Sequence, residues 1–352
     1  MVPPTAQRNA TIEDVARAAG VGRQTVSNVL NDSGRVGAAA RARVLEAVAQ
    51  LGYHPHHGAR SLRSRRTMQL CYLMSQEQLQ PRNLIMMQFL QALVAEASRR
   101  QYRVVVVTGD DDPREEMRRL ISSRSVDAFV LSDLEADDPK VALLAELSVP
   151  FAAFGRIAAG VPQHWADIDN AAAEAQAVRH VLDLGLRRPG FIGYASGHHW
   201  DAEREAGFRA ALADRDVPGD GVGLLSIDDD ASAHVQIRSF IASARPDVVL
   251  TGSDKIAIIV YSVAAELNLR IGRDLAVVGF DGSVGAELLQ PTLTSVVIPV
   301  EDIARRLLAR ALRQVEQGPD GEPGEFVASW LRLGGSTPEP GPERTAHPAL
   351  ST

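Results

Sequence analysis

The stretch "TIEDVARAAGVGRQTVSNVLN", Thr11 to Asn31, constrains the fold more tightly than any other part of the chain. Its apolar residues recur at helical spacing, but Ala19-Gly20-Val21 interrupts the run. The pattern predicts two short helices, Ile12–Ala19 and 22–31, joined by a tight turn. On a helical wheel Arg23, Gln24, Ser27, Asn28 and Asn31 fill one arc of about 140°. Val26, Val29 and Leu30 lie opposite, where they can pack on Ile12, Val15 and Ala16. A helix anchored on one side and lined with hydrogen-bonding groups on the other suits the DNA major groove. That groove admits one helix, and its guanine and adenine edges match the forks of Arg and of Gln or Asn. The short turn sets the two helices as a helix-turn-helix. On these residues alone, a helical hairpin with a solvated face remains the alternative.

Charge is divided unevenly along the chain. The 352 residues carry a net charge of -7, yet residues 1–66 hold ten Arg against four acidic residues, a net of +6. The remainder holds 27 basic and 40 acidic residues, a net of -13. A small cationic module on an acidic body is the asymmetry expected where one module meets phosphate. Cys71 is the single cysteine, which excludes an intrachain disulfide and fits a reducing compartment. The start "MVPPTAQRNA" has no apolar stretch, and no later segment reaches the roughly 20 apolar residues of a membrane span. A cytoplasmic protein with no membrane partner is expected.

A third helical pattern covers 39–51, and the polar, cationic "YHPHHGARSLRSRRT" (53–67) reads as a linker broken by Pro55 and Gly58. Short apolar runs then alternate with helical stretches: "LCYLM" (70–74), "VVVVT" (104–108), "AFVLS" (128–132), "PFAAF" (150–154), "GFIGY" (190–194), "VVLT" (248–251), "AVVGF" (276–280) and "SVVIP" (295–299). Such runs predict buried parallel strands and an α/β body. Eight strands exceed one ordinary sheet, so two lobes are expected. The proline-rich tail 338–352 reads as disordered.

"TIEDVARAAGVGRQTVSNVLN" followed by "VLEAVAQLGYHPHHGARSL" closely resembles the N-terminal headpiece of the LacI/GalR family of bacterial repressors. The shared features are the Thr-φ-x-x-Val-Ala opening, Gly-Val before the second helix, Thr-Val-Ser within it, and Leu-Gly-Tyr-x-Pro entering the linker. The resemblance implies a homodimeric, sequence-specific DNA-binding regulator, most simply a repressor of a pseudo-palindromic operator. It places Arg23 and Gln24 at base-reading positions and Thr11, Thr25 and Ser27 at phosphate contacts. Two residues depart from the family pattern. Gly22 replaces the usual Ser at the helix start, which costs a few tenths of a kcal/mol in capping, about 0.3. Asn28 stands where an Arg is usual, so a preference for adenine over guanine is expected there.

The same resemblance puts a hinge helix at "HHGARSL", with Leu62 as a wedge in the minor groove and Arg60 among phosphates. Beyond Met68 it implies a two-lobed, periplasmic-binding-protein-like (Rossmann-like) sensor with an effector between the lobes. The matching pieces include "REAGFRAAL", "GSDKIA" and "AVVGFDGS". The expected layout is a headpiece over 1–52, a hinge over 53–67 and a body over 68–337. Lobe 1 takes about 68–165 and 296–328, and lobe 2 about 166–295 and 329–337. Expected effector contacts are Arg204 and Asp281 on facing lobes, Ser132 and Ser253 at strand ends, and Phe154 and Trp200 as stacking surfaces for a sugar or nucleoside. Ser253 replaces a common Asn, and Gly334 a common Arg.

Other chemistry has little support. "GYASG" around Ser196 is one residue off a nucleophile elbow and has no His/Asp order behind it. His54, His56 and His57 lack Cys or carboxylate partners for a metal, and Asp112 and Asp228 belong to runs without calcium-loop spacing. No P-loop or G-x-G-x-x-G occurs. No enzyme, metal or cofactor is expected. A carrier protein or sugar-processing enzyme with an N-terminal assembly module is the rival reading, and binding to arbitrary DNA separates the two.

Overall fold

The computed structural model describes residues 10–30, 36–53, 66–74, 83–108, 112–157, 163–195, 197–218, 221–228, 231–319 and 324–339. Two compact units divide at Thr67/Met68. The N-terminal unit holds three helices: α1 (Ile12–Ala19), α2 (Arg23–Leu30) and α3 (Ala38–Leu51). Thr11 and Asp14 cap α1 reciprocally. The Thr11 hydroxyl accepts from the Asp14 N–H at 3.3 Å, and the Asp14 carboxylate accepts from the Thr11 N–H at 2.9 Å. Gly20 ends α1 at φ +64°, a left-handed conformation that a side chain strains, and this lets the chain turn directly into α2.

The headpiece core joins Val15, Ala16 and Ala19 of α1, Val26 and Val29 of α2, and Val44 and Ala47 of α3. Tyr53 completes it, which corrects the expected start of the hinge. Its ring is buried in that core, and its N–H donates to the Val48 carbonyl at 3.0 Å, extending the last turn of α3. Arg60 and Leu62, like most of the expected hinge and the 340–352 part of the tail, lie outside the described residues.

The C-terminal unit contains two six-stranded sheets. The first runs β11 (Glu325–Phe326), β5 (Trp165–Asp167), β4 (Phe151–Phe154), β3 (Ala128–Ser132), β1 (Gln69–Met74), β2 (Arg103–Thr108), with parallel pairing throughout. The second runs β12 (Trp330–Arg332), β10 (Thr294–Val297), β9 (Ala276–Asp281), β8 (Val248–Thr251), β6 (Pro189–Tyr194), β7 (Gly223–Ile227). Only its edge strand β12 is antiparallel. Helices α4 (Leu84–Arg99), α5 (Pro113–Ser122), α6 (Pro139–Glu146) and α12 (Val300–Gln317) accompany the first sheet. Helices α7 (Asn170–Asp183), α8 (His199–Ala213), α9 (Ala233–Ala244), α10 (Asp254–Glu266) and α11 (Val284–Leu288) accompany the second.

Every residue of β3, β8 and β9 is buried, as a strand covered on both faces requires, and this is why these strands read as continuous apolar runs. The chain changes sheet at 168–169, 298–299 and 327–329. The expected changeovers at 165/166 and 295/296 fall inside β5 and β10, each of which first completes its pairing in the sheet it began. Asp112 caps α5 through the Arg114 N–H, as its position in an acidic run before Pro113 suggests.

Lobe 2 depends on a close approach of α7 and α8. A Cβ on Gly207 would stand 2.2 Å from the Ala171 carbonyl oxygen, a backbone atom with no room to retreat. Gly207→Ala is therefore expected to destabilise the body by about 1–3 kcal/mol or more. Denaturant unfolding followed by circular dichroism checks this, and an unchanged midpoint would show that the helices separate freely.

A candidate DNA-reading helix and effector cleft

In the headpiece, α2 starts where the Gly22 carbonyl accepts from the Thr25 N–H at 2.9 Å and the Val26 N–H at 3.2 Å. Val26 and Val29 face the core, Arg23 and Gln24 are exposed, and Thr25, Ser27 and Asn28 are half-buried. Arg23 pairs loosely with Glu13 of α1 at 3.4 Å. The Gln24 amide donates to the Asn28 side-chain oxygen at 3.1 Å, so the two amides lie on one face, one turn apart. Thr11 serves first as the α1 cap, its hydroxyl also donating to Asp14 at 2.7 Å.

In the body, a cleft of about 1060 Å³, its solvent-filled mouth included, opens where both sheets end. Lobe 1 contributes the first turn of α4 (Leu84, Ile85, Met86), Asp133 after β3, and Phe154 at the end of β4. Asp167, Asn170 and Ile298 enter from the crossings between lobes. Lobe 2 contributes Tyr194, Trp200, Arg204, Ser253, Asp254 and Asp281. Ligand crevices of open parallel sheets lie at these carboxyl ends, where successive loops diverge.

Arg204 is the fixed point of the cleft. Its Nε donates to Asn170 at 2.9 Å and its Nη1 to the Gly252 carbonyl at 2.6 Å. Asp281 stands 3.6 Å from the same Nη1. The guanidinium carbon lies 3.6 Å from the Phe280 ring centroid and 4.5 Å from that of Trp200. These contacts correct the expectation of an Arg204–Asp281 bridge between facing lobes. Both residues belong to lobe 2, because α8 and β9 accompany the same sheet, and they pair with each other directly. Asp281 adopts φ +120°, an uncommon backbone state for a residue with a side chain, at the end of the strand that aims its carboxylate.

Burial dominates the acid–base chemistry beneath the cleft. It pushes Asp281 well above the ordinary carboxylate range, although nearby Arg204 favours the charged form. Desolvation likewise raises Asp167 to about 7, Glu174 to about 8, and Asp201 and Asp254 to about 6. Asp254 accepts from the Ser283 N–H and the Ser295 hydroxyl, each at 2.6 Å. Glu174 Oε1 and Asp201 Oδ1 have no hydrogen-bond partner among the described residues.

Two sets of contacts clasp the lobes together at the start of α8. Asp133 of lobe 1 accepts from the Trp200 indole N–H at 3.1 Å and lies 3.3 Å from His198 Nε2. Arg156, just after β4, forms a two-pronged ion pair with Glu203, which also lies 3.4 Å from His199 Nε2. The ring of Trp200 stacks on His198 at 5.6 Å between centroids.

Of the residues expected at the effector site, Phe154, Trp200, Arg204, Ser253 and Asp281 line the cleft and Ser132 does not. Ser132 is buried against the Tyr72 hydroxyl at 2.7 Å, because the strand alternation that ends at Ser132 turns it into the core and leaves Asp133 at the mouth. Trp200 lines the cleft with its ring already engaged by Arg204 and His198. Ser253 caps α10 and shares a hydrogen bond with the Tyr194 hydroxyl at 2.8 Å. Asp133, Asp167, Tyr194 and Asp254 escape the sequence reading. Their common signal is position, at or just beyond the last residues of parallel strands.

The raised carboxyls make a pH prediction. Their folded-state values lie above the usual unfolded value near 4, so the folded body retains protons that the unfolded chain releases. Stability should therefore fall as pH rises from about 4 to 8, the slope easing as Asp254 and Asp201, then Asp167 and last Glu174 ionise in the folded body. Thermal melts of the wild type and Glu174→Gln across this range are the check. The variant should gain stability at pH 8 and flatten the slope, and a parallel slope would remove Glu174 as a contributor.

The profile described as "Bacterial regulatory proteins, lacI family" matches residues 11–56, and that of the "Periplasmic binding protein-like domain" matches residues 178–337. The HTH-type transcriptional regulator CelR of Thermobifida fusca is 32% identical over 331 residues, covering 91% of this chain and 96% of its own. Catabolite control protein A of Priestia megaterium is 26% identical over 87% and 93% of the two chains. A solved complex of CelR with cellobiose aligns at TM-score 0.69 and 28% identity, covering 93% of this chain and 99% of that one. The lac repressor dimer bound to operator and the anti-inducer ONPF shares the fold at TM-score 0.80 and 22% identity, over 94% and 100% of the chains. With a relative this similar along nearly its whole length, the chain belongs to the LacI family of bacterial regulatory proteins, and it is a transcriptional regulator with a DNA-binding helix-turn-helix headpiece and a periplasmic-binding-protein-like sensor body.

Proposed function

We propose that this regulator acts in the cytoplasm as a homodimeric repressor whose affinity for a pseudo-palindromic operator is set by a sugar held in the body cleft. The observation that carries the reading is the cleft itself. It combines carboxylate acceptors for hydroxyl groups with an apolar side from Leu84, Ile85, Met86 and Phe154 that suits the C–H face of a ring. The CelR–cellobiose complex supports a sugar over a nucleoside.

In this reading α2 enters the major groove with Arg23, Gln24 and Asn28 toward base edges, while Thr11, Thr25 and Ser27 contact phosphates. Arg60 and Leu62 of the hinge segment take the phosphate and wedge roles in the minor groove. Helix-turn-helix readers bind as two-fold pairs, one recognition helix per half-site. Each lobe supplies cleft residues, so a bound sugar favours one lobe arrangement and shifts the DNA-competent population.

Selection of preferred duplexes from a random pool, with and without cellobiose, maltose or adenosine, tests the reading. An inverted-repeat site should emerge, with affinity falling steeply as salt rises and changing on addition of one of the sugars. In Asn28→Arg, preference at one base of each half-site should move toward guanine by about tenfold or more. An unchanged preference at every base removes Asn28 as a reader. Indifference to every duplex at low ionic strength sinks the function itself.

A further inference from the structure

We infer that the cleft is built for an uncharged sugar and rejects the phosphorylated form of the same sugar. The inference deepens the sugar reading and rests on it. Four carboxyl side chains, Asp133, Asp167, Asp254 and Asp281, face the cleft against two cationic ones, Arg204 and Lys255. Hydroxyl groups can donate to carboxylates, whereas a phosphate brings only acceptors and a like charge.

Arg204, the obvious anion ligand, is already committed. Turning its fork toward a phosphate breaks the bonds to Asn170 and Gly252 and draws the guanidinium away from the buried Asp281 carboxyl. The helix N-termini around the cleft, the other common source of anion donors, are taken as well. The α4 terminus is capped by Asn83 and opens on the apolar Leu84-Ile85-Met86 turn. The α10 terminus is capped by Ser253 and begins with Asp254, and the α7 terminus is capped by Asp169. The first turn of α8 carries Asp201 and lies beside Asp133, and the Ser283 N–H at the start of α11 already donates to Asp254. Apart from Lys255 and His198, the features that could welcome an anion are thus occupied by a carboxylate, a cap or an apolar side chain.

A sugar recognised this way must reach the cell interior without phosphoryl transfer. Its source is either uptake in free form or hydrolysis of a longer glycoside.

Isothermal titration of the full chain with matched pairs tests the inference: cellobiose and cellobiose 6′-phosphate, maltose and maltose 6′-phosphate, glucose and glucose 6-phosphate. At least one neutral sugar should bind, with its phosphate about tenfold weaker or worse. In Asp133→Asn, and in Asp167→Asn titrated at pH 8 where that carboxyl is ionised, one charge is removed at constant size and that ratio should narrow through tighter binding of the phosphate. A phosphate that binds the wild type as tightly as its parent overturns the inference, and so does a ratio unmoved in both variants. A response to adenosine with none to any sugar would instead overturn the sugar reading on which the inference stands.

Discussion

The burial of one guanidinium organises the sensor body. Arg204 is 5% exposed and ties together the start of α7, the end of β8 and the end of β9, while its flat faces meet Phe280 and Trp200. A charge so placed is stable only when its own donors are satisfied and a counter-charge or π-face lies close. That requirement explains the uncommon backbone of Asp281 at the strand end and the position of Asn170 beside a crossing between lobes. Under the proposed effector role, Arg204 is a lobe 2 contact held rigid before any ligand arrives.

Around this fixed point, the start of α8 also governs how the lobes meet. Trp200 lies over Arg204 and gives its indole N–H to Asp133, and Glu203, one residue before Arg204, receives Arg156. Three successive jobs thus fall on one helical turn: holding the guanidinium, shaping the cleft, and clasping the other lobe. In the proposed sensor, a ligand beside Arg204 lies within a few residues of the contacts between lobes.

The headpiece follows a different logic. Seven small residues and one tyrosine suffice for its buried core because three helices pack at close range around Val15 and Val26. Gly20 at the end of α1 removes any connecting loop. The polar face of α2 therefore stands on a firm base, with the amides of Gln24 and Asn28 aligned on it.

Much of this was legible in the chain itself. The 3.6-residue period of 12–19 and 23–30, the glycine between them, and the continuous apolar runs of β1, β3, β8 and β9 are local consequences of burial, and local patterns specify them. The strands β5, β11 and β12, of two or three residues, and the half-exposed β7 left too little periodicity to detect. Arg204 and Asp281 were recognisable as site residues by their motifs, but their placement in one lobe, and the substitution of Asp133 for Ser132 at the cleft mouth, were not. Sequence fixes which residues seek burial and where the chain must turn, because those preferences act over a few neighbours. Which side chains meet across a cleft depends on three changes of sheet and on distances through space between residues far apart in the chain, and only the folded chain decides that.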